Sequence, residues 1–153
     1  MQMRIKMKIM FVCHGNICRS PMAEFIFKDL IVKNNRQDEF VVKSSAVSSE
    51  ELGNPVYFPA KSVLKKHGIN CDGKYAVKLQ KNDYDKYDLF LCMDKSNVRN
   101  ALRIFGEDAL GKVKLLLEFD GGGEVEDPWY TGSFDVVYDQ IYSACQKLLE
   151  YLN

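Results

Sequence analysis

The sequence lacks an excess of charge of either sign. Its 153 residues carry 21 lysine and arginine side chains against 21 aspartate and glutamate side chains, which gives a net charge of zero with neutral histidine. General nucleic-acid binders carry a basic excess, and docking on an anionic membrane surface needs one as well. The balance therefore predicts partners that are neither nucleic acid nor membrane.

The cysteine spacing and the shortness of the apolar runs exclude further classes. The five cysteines are an odd number and include no Cys-x2-Cys pair, so no disulfide framework is expected. No segment approaches the ~20 apolar residues of a spanning helix. The basic start, residues 1–8, has no signal-peptide core after it and is expected to be a solvated end. We expect a reducing, cytoplasmic compartment, no metal and no cofactor.

Internal repeats, low-complexity tracts and linkers are also absent, and the length suits one domain with a core of its own. Residues 1–153 are therefore predicted to form a single domain. Apolar runs predict strands at 8–12, 40–46, 89–93 and 113–117, and helical patterns predict helices at 20–33, 60–67, 97–105 and 134–152. This alternation favours an α/β fold, with a parallel sheet covered by helices on both faces.

The most informative stretch is Cys-His-Gly-Asn-Ile-Cys-Arg-Ser-Pro, residues 13–21, between the first strand and the first helix. Ser20 is the expected N-cap, with Pro21 at the first helical position; Ser96 is the expected cap of the third helix. A loop that enters a helix N-terminus presents unpaired N–H groups and the positive helix end to an anion. Gly15 permits a tight backbone path, and Arg19 can bind two phosphate oxygens. Cys13 would be favoured there as a thiolate, the nucleophile of a phosphoryl transfer.

This stretch, together with Asp127-Pro128-Trp129-Tyr130 far downstream, resembles the low-molecular-weight protein tyrosine phosphatases. The likeness extends along the chain through residues 44–47, 66–69 and 91–97. It implies a flavodoxin-like, doubly wound sheet of four parallel strands in the order 2-1-3-4. It also implies hydrolysis of phosphotyrosine and small aryl phosphate monoesters through a phosphocysteine intermediate.

The resemblance implies a role for each residue of the site. Cys13 would be the nucleophile, Arg19 the phosphate clamp and Asp127 the general acid and base. The phosphate-binding loop would comprise His14, Gly15, Asn16, Ile17, Cys18 and Arg19. Ser20 is expected to hydrogen-bond the Cys13 sulfur, Ser44 and His67 to support Asn16, and Asp94 to brace the loop. Cys18 would trap oxidised Cys13 as a disulfide, and His14, Trp129 and Tyr130 would form the wall of the substrate pocket.

Each assignment has a plainer alternative. Cys13 can be a buried structural thiol, Arg19 half of a surface ion pair, and Asn16 a simple turn residue. Asp127 can belong to an Asp-Pro turn, in which case Glu126 is the substitute acid. Trp129 and Tyr130 can pack in the core, and His67 can simply face a helix end. The remaining cysteines, Cys71, Cys92 and Cys145, are interpreted as structural.

Two other functions stay open at this stage. An arsenate reductase on the same scaffold needs further cysteines that reach Cys13, and only Cys71 and Cys92 are candidates. A phosphate-binding or phosphoprotein-binding module would bind without turnover. We expect a monomer whose partners are phosphotyrosine proteins or small aryl phosphates. The sequence leaves open whether Tyr130 or Tyr138 is itself phosphorylated, and what His14, at a position more often aliphatic in the family, does to substrate preference.

Overall fold

The computed structural model describes residues 5–153, so the first four residues of the basic start lie outside the described range. Within residues 5–153, four strands form one sheet: β1 Met7–Cys13, β2 Phe40–Ala46, β3 Leu89–Cys92 and β4 Val113–Leu115. Every neighbouring pair is parallel, and the order across the sheet is β2-β1-β3-β4. The α/β fold and the strand order implied by the family resemblance are both confirmed.

In the described part of the chain, five α-helices accompany the strands: α1 Arg19–Lys33, α2 Phe58–Lys66, α3 Lys95–Phe105, α4 Pro128–Thr131 and α5 Phe134–Tyr151. Short 3-10 turns occur at Gln37–Glu39, Lys81–Asp85 and Leu116–Phe119. No helix within residues 5–153 is long and apolar enough to cross a bilayer.

Strand β1 lies in the middle of the sheet and contributes side chains to both cores. Ile9 and Phe11 point to the face covered by α1, α2 and α5, and Met10 and Val12 point to the face covered by α3. The alternation follows from the period of two in a strand. Because both faces are covered, β1 is apolar along its length, as the sequence predicted.

Three local predictions were wrong. Helix α1 begins at Arg19, so Ser20 is not its N-cap and Pro21 is its third residue. Asp94, and not Ser96, caps α3. Strand β4 ends at Leu115, because its partner β3 ends at Cys92 directly opposite, and residues after 115 have no strand to pair with. Those residues form the 3-10 turn Leu116–Phe119, which buries Leu116 and Leu117.

Candidate active site

The loop between β1 and α1 uses its carbonyl groups to attach itself to the rest of the chain. The oxygens of Cys13, His14 and Ile17 accept hydrogen bonds from the backbone of Val47, Ser48 and Tyr57, at 3.0, 3.1 and 2.9 Å. Among the described residues, no protein acceptor takes the backbone N–H of His14, Gly15, Ile17 or Cys18. These four N–H donors therefore remain available to a ligand beside the positive end of α1, and this arrangement binds anions. We call residues 13–19 the phosphate cup.

The Cys13 side chain lies at the base of the cup and is almost fully buried. Its sulfur is 2.9 Å from the Ser20 hydroxyl and 3.3 Å from the backbone nitrogen of Asn16. The Asn16 N–H donates to this sulfur, and the Ser20 hydroxyl is close enough to donate to it when the sulfur carries a negative charge. Ser20, on the first turn of α1, therefore serves the sulfur instead of the helix end.

Asn16 holds the cup in shape from within. Its backbone is left-handed, with φ of 61°, a conformation that asparagine adopts more readily than most residues. Its buried amide group donates to the Ser20 and Ser44 hydroxyls at 2.7 and 2.9 Å, and its oxygen accepts from the Val77 N–H at 3.1 Å. These contacts use both amide hydrogens and the carbonyl, so the residue is fully satisfied where it is buried.

Two charged residues behind the cup were missed by sequence reasoning. Ser44 donates its hydroxyl hydrogen to the Glu24 carboxylate, at 2.5 Å, and Glu24 is only 3% exposed. Lys74 lies 3.7 Å from the same carboxylate and donates to the Ser44 carbonyl at 2.9 Å. Burial lowers the pKa of Lys74 from its ordinary value, with Lys28 and Lys43 adding to the effect, although Glu24 opposes it. Glu24 is one helical turn after Ser20, and this spacing indicates that the two side chains lie on the same face of α1. Lys74 is in an irregular segment, where the sequence gives no such signal.

Arg19 is 3% exposed and has a partner on each side. Its guanidinium donates to the Asp94 carboxylate at 2.8 Å, to the Val125 carbonyl at 3.0 Å and, more distantly, to Asp127 at 3.5 Å. Burial alone would lower the pKa of Arg19, but the Cys13 sulfur and the two carboxylates outweigh it and raise that pKa above its ordinary value. The cation is thus fixed next to the sulfur, with its planar face held in one orientation.

Asp127 reaches the same cavity from another part of the chain. It precedes Pro128 in an extended conformation, as expected of a residue before proline. One carboxylate oxygen accepts the Trp129 N–H at 3.1 Å and the other faces Arg19. Glu126 does not line the cavity that Asp127 shares with Cys13. The nearby Glu124 is engaged with the backbone N–H of Lys95 at 2.8 Å.

The mouth of the cavity is aromatic and acidic. The cavity has a volume of about 140 Å³, and Asp127, Trp129, Tyr130, Glu50 and Glu51 surround it together with the cup. Trp129 and Tyr130 are 51% and 85% exposed, so neither packs in the core. His14 points across the opening to Glu50, at 3.0 Å. Glu50 and Glu51 were not identified from the sequence.

The second cysteine of the cup, Cys18, lines the same cavity as Cys13 and is buried. Burial, with the charge of Cys13 adding to it, raises the pKa of the Cys18 thiol to about 12. The other three cysteines are buried away from the cavity. Cys71 belongs to the core on the α1 and α5 side of the sheet and Cys92 to the core on the α3 side.

The expected support of Asn16 by His67 is not formed. His67 is at the end of α2, where its ring stacks on Tyr138 with centroids 3.8 Å apart and planes 8° from parallel. The place beside Ser44 is taken by Glu24 and Lys74. Ser44 and Asp94, in contrast, contact Asn16 and Arg19 directly. Tyr138 is itself buried, whereas Tyr130 is exposed.

Comparisons with known proteins agree with this geometry. A family model described as "Low molecular weight phosphotyrosine protein phosphatase" matches residues 8–153. The chain is 37% identical over 148 residues to the protein of that name from Rattus norvegicus, covering 93% of each chain. It is 35% identical over 144 residues to the low molecular weight protein-tyrosine-phosphatase YfkJ of Bacillus subtilis, covering 92% of each. The crystal structure of YfkJ superposes with a TM-score of 0.93, at 33% identity over 97% of this chain and 95% of that one. The chain belongs to the low molecular weight phosphotyrosine protein phosphatase family.

Proposed function

We propose that this protein hydrolyses phosphotyrosine and small aryl phosphate monoesters, with Cys13 as nucleophile, Arg19 as phosphate clamp and Asp127 as general acid and base. The observation that carries the proposal is the convergence of these three side chains on one cavity, although Asp127 is more than a hundred residues from the other two. A buried structural thiol would need neither an arginine nor a carboxylate beside it.

The first step transfers the phosphoryl group to sulfur. The phosphate dianion is bound by the free amides of the cup and by the Arg19 guanidinium, and both also stabilise charge that develops on the equatorial oxygens. The Cys13 thiolate forms a bond to phosphorus while the bond from phosphorus to the aryl oxygen breaks. Asp127, in its protonated form, gives its proton to the departing phenolate.

The second step releases phosphate and restores the thiolate. A water molecule attacks the phosphorus of phosphocysteine while the Asp127 carboxylate accepts the proton of that water. The bond from phosphorus to sulfur breaks, and the Ser20 hydroxyl and the Asn16 N–H stabilise the thiolate that leaves. Inorganic phosphate then departs, and the proton on Asp127 is ready for the next turnover.

The exposed rings at the mouth support an aryl substrate. Trp129 and Tyr130 can stack on the phenyl ring of phosphotyrosine, and His14 borders the other side of the opening.

Cys18 can protect Cys13 from irreversible oxidation. When a peroxide oxidises Cys13 to a sulfenic acid, the Cys18 sulfur attacks it, water leaves, and the resulting disulfide is reducible by a thiol.

The alternative functions receive less support. An arsenate reductase would need Cys71 and Cys92 to act as a relay with Cys13, but these two thiols are in cores on opposite faces of the sheet and cannot pair with each other. A binding module without turnover would not need a carboxylate at the position of Asp127. We propose a monomer, without nucleic-acid or membrane partners, in a reducing cytoplasm where five unpaired cysteines are stable.

Steady-state kinetics on p-nitrophenyl phosphate and on a phosphotyrosine peptide test the proposal. We expect turnover that chelators do not change, and Cys13→Ser should lower kcat by at least about 10⁴-fold. Rapid acid quench of the native enzyme should trap phosphate on Cys13. Full activity of the Cys13→Ser variant would overturn the mechanism, and tight phosphate binding without hydrolysis would favour the binding module.

A further inference from the structure

A second cavity opens directly beside the phosphate cup. Its volume is about 710 Å³, and it lies between residues 54–58 and residues 71–75. Ile17, Glu51 and Trp129 line both this cavity and the one above Cys13. The two spaces therefore adjoin, and a substrate whose phosphate is in the cup can place a neighbouring group at the opening of this cavity. We call it the flanking groove.

The flanking groove exposes a cluster of aromatic side chains. Phe58, Tyr75, Trp129 and Tyr57 are 76%, 55%, 51% and 37% exposed. The ring of Tyr57 packs against Trp129, with centroids 4.8 Å apart, so the aromatic surface runs without a break from the groove to the mouth of the cup. Exposed apolar side chains that lie next to one another are typical of binding sites, whereas single exposed residues are common on any protein surface.

The charged groups that line the flanking groove already have partners within the protein. Lys61 pairs with Asp72 at 2.7 Å, and Glu51 accepts a hydrogen bond from the Asn54 amide at 2.6 Å. Lys74 is turned inward to Ser44 and Glu24. The exposed Lys61–Asp72 pair is neutral overall, and most of the remaining surface of the groove is apolar, which favours an apolar side chain over a charged one.

The walls of the flanking groove are held by backbone hydrogen bonds. Gly53 and Asn54 exchange bonds with Ala76, each at 2.9 Å, and Pro55 forms a bridge with Tyr75. The Tyr57 N–H is bonded to Ile17 of the cup. Since the groove is fixed to the cup before any ligand arrives, little ordering is lost on binding.

We propose that the flanking groove binds an apolar side chain close to the phosphotyrosine of a peptide or protein substrate, and so makes this enzyme select among phosphotyrosine sites. The inference rests on the proposed function. An extended chain advances about 3.3–3.6 Å per residue, so positions within two residues of the phosphotyrosine are close enough to reach a groove that shares a wall with the cup.

The test compares two phosphotyrosine peptides that differ only in the two residues on each side, all leucine in one and all serine in the other. The native enzyme should prefer the leucine peptide about tenfold in kcat/KM, mainly through KM, which is the effect of partly burying one leucine. In the Phe58→Ser/Tyr75→Ser variant the preference should fall to about twofold. The exposed Leu110→Ser is the matched control, because Leu110 precedes β4 at the opposite edge of the sheet, and it should keep the tenfold preference.

Hydrolysis of p-nitrophenyl phosphate, which is too small to reach the flanking groove, separates the two hypotheses. If the native enzyme does not hydrolyse it, the proposed function is wrong. If the native enzyme hydrolyses it but treats both peptides alike, only the groove assignment fails. A preference that survives in the double variant also overturns the assignment. The assignment is likewise wrong if the double variant keeps its peptide preference but loses self-association in sedimentation velocity. The groove would then be a contact between two copies of the chain.

Discussion

Helices α1 and α3 begin at the same edge of the sheet, after the neighbouring strands β1 and β3, yet their first turns are completed in different ways. The α3 terminus is closed by its own residues: Asp94 accepts the Asn97 N–H at 2.8 Å, and the Asn97 side chain accepts the Asp94 N–H at 3.2 Å. No side chain within the described residues caps α1, whose N-cap residue is Cys18. One helix end is thus completed by protein and the other is available to a ligand. The same topology provides a scaffold at one strand and a reaction site at the next.

Arg19→Lys, at the uncapped N-terminus of α1, should have the largest effect on catalysis among the substitutions that follow. Lysine keeps the charge but not the planar fork that fits two phosphate oxygens, so kcat on p-nitrophenyl phosphate should fall by about 10²- to 10³-fold. Arg36→Lys, at the other end of α1 and paired with Glu39, is the matched control and should retain native kcat. Equal losses in the two variants would show that the open terminus has no special part in catalysis.

Asp127→Asn tests the proposed general acid, which faces Arg19 at the N-terminus of α1. We expect kcat to fall by about 10²-fold or more, because the amide cannot donate a proton to the leaving oxygen. The loss should be larger for phenyl phosphate than for p-nitrophenyl phosphate, since phenolate is the poorer leaving group. Glu126→Gln makes the same change one residue earlier and should leave both rates unchanged. A larger loss in Glu126→Gln would assign the acid to Glu126.

Asp94 caps α3 and also pairs with Arg19 at the start of α1. Two substitutions at this position separate the effect of the cap from the effect of the charge. Asparagine caps a helix about as well as aspartate, so Asp94→Asn should keep the cap but lower kcat severalfold and lower the unfolding free energy, because it removes the charge opposite the buried Arg19. Asp94→Ala also removes the cap and should be about 1 kcal/mol less stable than Asp94→Asn in urea denaturation.

Ser96→Ala is the control for the N-terminus of α3, which Asp94 caps. Ser96 was the cap expected from sequence, but its side chain is exposed and does not cap α3, so its removal should change the unfolding free energy by less than about 0.5 kcal/mol. A loss as large as that of Asp94→Ala would mean that the capping assignment is wrong.

The smallest effect is expected at Cys18, the residue at the N-cap of α1. Its pKa is raised to about 12, so the neutral thiol is the form present from pH 6 to pH 9, with roughly one molecule in 10³ ionised even at pH 9. Iodoacetamide should therefore label Cys13 first, and raising the pH to 9 should add little label at Cys18. Peptide mapping by mass spectrometry measures both sites. Early modification of Cys18 would contradict the burial that raises its pKa.

The sequence was most informative where a structure depends on neighbours in the chain. Apolar runs located β1, β2 and β3, and the order of residues in the cup placed Cys13 beside Arg19. It was least informative where a residue far away in the sequence determines the local structure. The length of β4 depends on where β3 ends. The residues around Ser20 indicated a helix cap, and only the family resemblance indicated the contact that its hydroxyl makes with the Cys13 sulfur. Lys74 could not be assigned, since a lysine in an irregular segment normally faces water.

The central position of β1 has a consequence for dynamics. This strand pairs with β2 on one side and β3 on the other, and its side chains fill both cores. Its amides should therefore be among the slowest to exchange with deuterium, opening only when the whole domain unfolds. Cys13, the proposed nucleophile, ends that strand, so motions of the surface loops should leave its position at the base of the cup unchanged. Thermal inactivation should accordingly coincide with global melting instead of preceding it.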